Sequence, residues 1–137
     1  MEIIIDADVI IAGEKGTLDF ELWLRSRVQD RPLLAAVTVA ELWHGLERAT
    51  GIHKAKRKAY LAAVAAAVPV LPYTESTAIY HARLWAELAS TGRMIGLYDL
   101  IVAATALERG IAIATFNGRH FSRVPGLTVI KPTIPGQ

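Results

Sequence analysis

The chain has 137 residues, enough for one domain with its own core. It contains no cysteine, which excludes disulfides, zinc–thiolate sites, iron–sulfur clusters and thiol nucleophiles together, and which suits a reducing cytoplasm. Fifteen basic and thirteen acidic residues leave a net charge of +2, too small to select a polyanionic partner by itself.

The opening apolar stretches, Ile3 to Ile5 and Val9 to Ala12, are interrupted by Asp6 and Asp8 and lack a basic leader, so no signal peptide is expected. Glu2 to Ile5 is short and β-branched and reads as a buried strand ending at Asp6. Leu18 to Val28 mixes large apolar residues with charges and predicts a helix closed by Pro32. Leu33 to Val37 predicts a second buried strand, and Thr38-Val39-Ala40-Glu41 then opens a helix. Gly51 breaks that pattern before an alanine-rich helix from about His53 to Ala67. Its apolar run, Ala62 to Val68, is far short of the roughly 20 residues a bilayer requires, so no membrane association is expected.

Val70-Leu71 reads as a short strand, and Thr74 caps a helix reaching about Ala89, with Thr91-Gly92 at its end. Asp99 opens a helix from Leu100 to Arg109 that Gly110 stops. Ile111 to Ala114 and Leu127 to Ile130 are the remaining strands, leaving one domain over residues 1–131 and a tail over 132–137. The alternation of strand and helix predicts an α/β domain: a central, mostly parallel sheet with helices on both faces.

In such sheets the working site lies beyond the carboxyl ends of the strands. Asp6, Glu41 and Asn117 each follow a predicted strand, whereas the placement of Asp99, at a helix start, does not follow from that rule. Several carboxylates meeting on one edge repel, and a divalent cation relieves the repulsion. Magnesium or manganese, bound by oxygen ligands, can activate water against a phosphodiester. Structural roles compete with this reading. Asp6 and Asp8 suit a helix cap, Thr38 to Glu41 is a capping-box sequence, and Asp99 suits a helix dipole.

Four segments, taken together, resemble the PIN-domain ribonucleases, and in particular the VapC-type toxins of bacterial toxin–antitoxin pairs. They are IIIDADVIIA, AAVTVAELWHG, IGLYDLIVAATALERG and IAIATFNGRHFSRVPGLTVIKP, in family order and over nearly the whole chain. The resemblance implies a three-layer α/β/α sandwich and a magnesium- or manganese-dependent endoribonuclease acting on transfer or ribosomal RNA. It also implies a homodimer and a cognate VapB-type antitoxin. It makes Asp6 and Asp99 the principal metal ligands and Glu41 the acid that completes the site. Asn117 falls where many members carry a fourth acid, so a second metal ion is in question. Asp8 stands where the family more often has Asn or Ser, and Thr115 matches a hydroxyl residue beside the fourth position.

A basic group, Arg119, His120 and Arg123, follows the last motif, and a second spans His53 to Lys58; each is either a solvated face or a contact for RNA phosphates. Trp43, Tyr98 and Phe121 are candidates for base stacking, Trp43 and Phe121 being also candidates for the core. Three alternatives are carried: a housekeeping RNA-processing nuclease, a binding module with decayed catalysis, and a haloacid-dehalogenase-type phosphatase. The last is suggested by Asp6-Ala7-Asp8-Val9 but has only Lys131 to serve as its later lysine.

Overall fold

The computed structural model describes residues 1–134. Five strands, β1 (Glu2–Ile5), β2 (Arg31–Ala35), β3 (Val70–Leu71), β4 (Ala112–Ala114) and β5 (Val129–Ile130), form one sheet in the order β3-β2-β1-β4-β5. Every pairing is parallel, so each strand returns through a helical crossover. The helices are α1 (Ala7–Lys15), α2 (Phe20–Ser26), α3 (Ala36–Arg48), α4 (Gly51–Ala67), α5 (Glu75–Ser90), α6 (Leu97–Arg109) and α7 (Gly118–Phe121).

The period-two geometry of a strand sorts the side chains into two cores. Ile3, Ile5, Ala112 and Ala114 face one side and pack with Val9, Ile10, Trp23, Leu42 and Leu61 from α1 to α4. Ile4 and Ile113 face the other and pack with Leu84, Leu88, Leu100, Val102 and Phe121 from α5 to α7. The result is the three-layer α/β/α sandwich expected from the sequence. Ile134, in the expected tail, is buried in the first core, while 135–137 lie outside the described residues.

Several boundaries differ from the sequence reading. Val9 to Ala12, read only as an apolar stretch, lies inside the helix Ala7–Lys15, and the short α7 was not anticipated. Pro32 does not close the preceding helix but lies within β2, in register with Ile3. It is tolerated there because β3 pairs only with Leu34 and Ala35, so no neighbour on that side requires the missing N–H. The second strand ends at Ala35 rather than Val37, and α3 begins at Ala36. Thr38 is therefore inside the helix and fully buried, and it cannot cap. Helix α6 likewise starts two residues before Asp99.

Helices α1, α2 and α4 meet closely at Gly13. A Cβ there would stand 2.8 Å from the Phe20 Cβ and 2.5 Å from the Tyr60 hydroxyl, which donates to the Ile10 carbonyl at 2.7 Å. Glycine to alanine inside a helix normally stabilises by up to about 1 kcal/mol. Here the Phe20 Cβ, fixed to its backbone, cannot yield as a flexible side-chain end would. Gly13→Ala is expected to destabilise by about 1–3 kcal/mol instead, as overpacking does, measured by urea denaturation.

Candidate active site

The strand order reverses direction between β1 and β4: the chain winds outward from β1 through β2 to β3, then crosses to β4 on the other side of β1. Beyond the carboxyl ends of two such strands the crossovers diverge and leave a crevice. Asp6 follows β1 and Thr115 follows β4, and the two meet there. The Asp6 N–H donates to the Ala114 carbonyl at 2.9 Å, continuing the ladder one residue past the strand. Asp6 Oδ1 accepts the Ala7 N–H at 2.9 Å, and Oδ2 accepts the Thr115 hydroxyl at 2.8 Å. Asp6 thus does cap α1, as its structural reading held, but one oxygen suffices for that.

Asp8 lies in the first turn of α1, and its Oδ2 accepts the Phe116 N–H at 3.1 Å and faces the Thr115 hydroxyl at 3.3 Å. The same hydroxyl accepts the Asn117 N–H at 2.9 Å, so Thr115 ties both aspartates to the turn after β4. The Asn117 amide points to Asp99 Oδ2 at 3.5 Å and to His120 Nδ1 at 2.9 Å. His120 Nδ1 also lies 3.5 Å from Asp99 Oδ2. Asp99, whose position the strand-end rule left open, reaches the site from the first turn of α6.

Glu41 sits in the second turn of α3, not the first, and no side chain caps that helix, so the capping-box role is ruled out. What the acids share is a field. Burial is the largest cause raising the Asp6 carboxyl to about 7, with the Asp8 and Asp99 charges adding to it against the Thr115 and Ala7 hydrogen bonds. Burial also raises Asp8, with Asp99 contributing, and raises Glu41, with Asp99 and Asp8 contributing. Four carboxylates from α1, α3 and α6 are therefore coupled. Among the described residues, however, no three acidic or imidazole groups converge into a preformed cage. Magnesium needs only one or two carboxylates, since waters complete its shell.

The basic residues divide by contact. Arg123 donates to the Met94 carbonyl at 3.0 Å and so braces the segment leading into α6. Arg57, from the His53 to Lys58 group, pairs with Glu14 at 2.9 Å and reaches the Gly45 carbonyl. Both do structural work that the sequence reading did not foresee, whereas Arg119 is exposed beside the site. Phe121 is fully buried and Trp43 packs against the first core, while Leu97 and Tyr98, just before Asp99, and Phe116, just before Asn117, are exposed. A cleft of about 670 Å³ lined by Leu18, Phe20, Leu24, Tyr60 and Val64 shares no residue with the acids. The phosphatase alternative gains nothing, since Lys131 is exposed past β5.

The raised acids set a pH dependence. A carboxyl whose folded pKa exceeds its unfolded value holds its proton better when folded, so stability is highest at low pH and is lost as pH rises through the folded value. For Asp6 that window runs from 3.8 to about 7, and Asp8 and Glu41 act in the same direction. In chelator, urea denaturation of the wild type should show stability falling from pH 5 to pH 7, and Asp6→Asn should flatten that slope. An equal slope in both proteins contradicts the assignment.

Comparisons with known proteins give the family of this fold. A family model described as PIN domain matches residues 3–127. Ribonuclease VapC10 of Mycobacterium tuberculosis is 32% identical over 98% of this chain and 96% of its own length. The tRNA(fMet)-specific endonuclease VapC of Salmonella typhimurium is 31% identical over 72% of this chain and 74% of its own. The crystal structure of DNA-bound VapBC from Salmonella typhimurium superposes with a TM-score of 0.85 at 26% identity, covering 97% of this chain and 99% of that one. The chain belongs to the PIN-domain family, among its VapC ribonucleases.

Proposed function

We propose that this ribonuclease is a magnesium- or manganese-dependent endonuclease acting as the toxin of a toxin–antitoxin pair, in the cytoplasm. The observation that carries the reading is the electrostatic coupling of Asp6, Asp8, Glu41 and Asp99 at the switch point of the sheet. The donor set is all oxygen, which fits a hard divalent cation and excludes sites built on sulfur. Asp6 and Asp99 would hold the ion, with Glu41 completing the site. When bound, the ion neutralises charge developing on the phosphate and lowers the pKa of water.

The chain's own residues do the rest. Thr115 and the Ala7 N–H fix both oxygens of Asp6 and so hold its carboxylate plane. Asn117 acts through Asp99 as a positioning residue, its amide facing that carboxylate. Glu41, partly buried and raised in pKa, orients the attacking water and takes its proton as the phosphodiester is cleaved. Arg119 meets a backbone phosphate and Tyr98 offers its face to a base. The printed activity of the Salmonella relative favours transfer RNA as the substrate class, with ribosomal RNA the alternative. Similarity to a VapBC complex supports a VapB-type antitoxin, and a homodimer is what the family resemblance implies.

Asp6→Asn and Asp99→Asn should each reduce RNA cleavage by about 100-fold or more while circular dichroism stays native, and chelator should abolish the wild-type activity until Mg2+ or Mn2+ is restored. Normal cleavage by both variants refutes the mechanism. Expression without an antitoxin should halt growth; a housekeeping nuclease would not. Arg119→Ala should weaken RNA binding more at low than at high salt, measured by fluorescence anisotropy. An Arg119→Ala affinity equal to that of the wild type at both salts removes Arg119 from the interface.

A further inference from the structure

The basic run that begins α4 is not explained by the fold. The helix carries no acidic residue from Gly51 to Ala67, and Lys54, Lys56, Arg57 and Lys58 all fall in its first half, after His53. An acid in the first turn would complement the helix dipole; cations there oppose it, and Lys54 and Lys58, one turn apart, repel each other. Of this run only Arg57 finds a partner among the described residues. Its Nε pairs with Glu14 of α1 at 2.9 Å, and its Nη1 donates to the Gly45 carbonyl of α3 at 3.3 Å, which ties the three helices together. Lys15 at the end of α1, Arg48 at the end of α3, and Lys56 are exposed and form no ion pair among the described residues.

These cations surround one post. Three hollows among α1, α3 and α4 all have Arg57 in their wall: one is lined also by Lys15 and Glu41, one by Arg48, and one by His53 and Lys56. Glu41 thus shares a hollow with Lys15 and adjoins the hollows of Arg48 and Lys56. Glu14, the other acid in these walls, is already matched by Arg57, so the charge left over is positive. Helices α1 to α4 cover one face of the sheet, whereas α6 and α7, which bring Asp99 and Arg119, cover the other. A strand of RNA held only over the acids would be repelled, so its attraction must come from beside them. We infer that the basic hollows among α1, α3 and α4 are a second phosphate-binding surface for the RNA substrate. The strand crosses the carboxyl edge of the sheet from Arg119 in one helical layer to Lys15, Arg48 and Lys56 in the other, with the scissile bond over the acids between them. The inference rests on the ribonuclease reading and deepens it by naming where the flanking strand lies.

The test is fluorescence anisotropy of the full chain with labelled, unfractionated transfer RNA in chelator, read as affinity against salt. Arg48→Ala/Lys56→Ala should bind about tenfold more weakly than wild type at low salt, and its plot of log affinity against log salt should be shallower by about two, near one per residue. Adding Lys15→Ala should remove about one more. The control, Arg31→Ala/Arg109→Ala, removes the same charge from the amino end of the sheet, where Arg31 opens β2 and Arg109 ends α6 beside Glu2, and should match wild type. Equal losses in the two double variants overturn the inference. Wild-type affinity and slope in Arg48→Ala/Lys56→Ala also overturn it, and leave the hollows to a protein partner. Thermal denaturation checks that each variant folds; if the double variant does not, Lys56→Ala alone decides, with a slope change of about one expected and none overturning the inference. A wild type that binds no transfer RNA fails the reading of the substrate itself, an outcome distinct from a wild type that binds and a variant that binds as well.

Discussion

Repulsion among carboxylates at the end of a buried parallel sheet is the constraint on which this molecule turns. A strand covered on both faces delivers its last residue into a place with little water, and Asp6 stands there with Asp8 and Asp99 close enough to be felt. The protein meets Asp6 and Asp8 with little positive character, the Ala7 and Phe116 N–H groups and the Thr115 hydroxyl, and meets Asp99 with the Asn117 amide. That is too little to make four acids comfortable at neutral pH, and burial together with neighbouring charge holds Asp6, Asp8 and Glu41 above the usual carboxylate range.

The scaffold makes the deficit affordable. Both faces of the sheet are packed with β-branched and aromatic side chains, from Ile3, Ile5 and Trp23 on one side to Ile113, Phe121 and Val102 on the other. Asp6 caps α1, and it and Asp8 bind the turn after β4, but the apolar layers are packed by other residues. Arg57, bridging Glu14 and the Gly45 carbonyl, and Arg123, braced on Met94, keep α1, α3 and the approach to α6 in place from outside the cluster. Stability and function are thus drawn from different residues, and unfavourable electrostatics can persist at the site without unfolding the domain.

The sequence made the architecture legible because strand-length apolar runs alternated with helix-length segments, and because punctuation such as Thr74 and Gly110 acts locally. It misjudged places where local signals were outvoted. Thr38 to Glu41 has the spacing of a capping box, but Ala36 and Val37 turn helical under the packing of α3 on the sheet, and the cap falls one residue before them, at Ala35. Pro32 looked like a terminator because nothing in the sequence shows that β3 is too short to reach it. In the site, Asp6, Glu41 and Asp99 were nameable as acids at element ends. That Thr115 and Asn117 link Asp6, Asp8 and Asp99 depends on β1 and β4 being neighbours, which one sequence does not state. The duties of Arg57 and Arg123 were hidden for the same reason: each contacts a residue distant in the chain.

The brevity of the outermost strands has its own consequence. Val70–Leu71 on one flank and Val129–Ile130 on the other present only two residues each. An incoming polypeptide finds almost no open ladder to extend, so recruitment by strand addition, including runaway fibril growth, has little foothold. Any association this chain enters, with a second copy of itself or with an inhibitor, must be negotiated across helical surfaces.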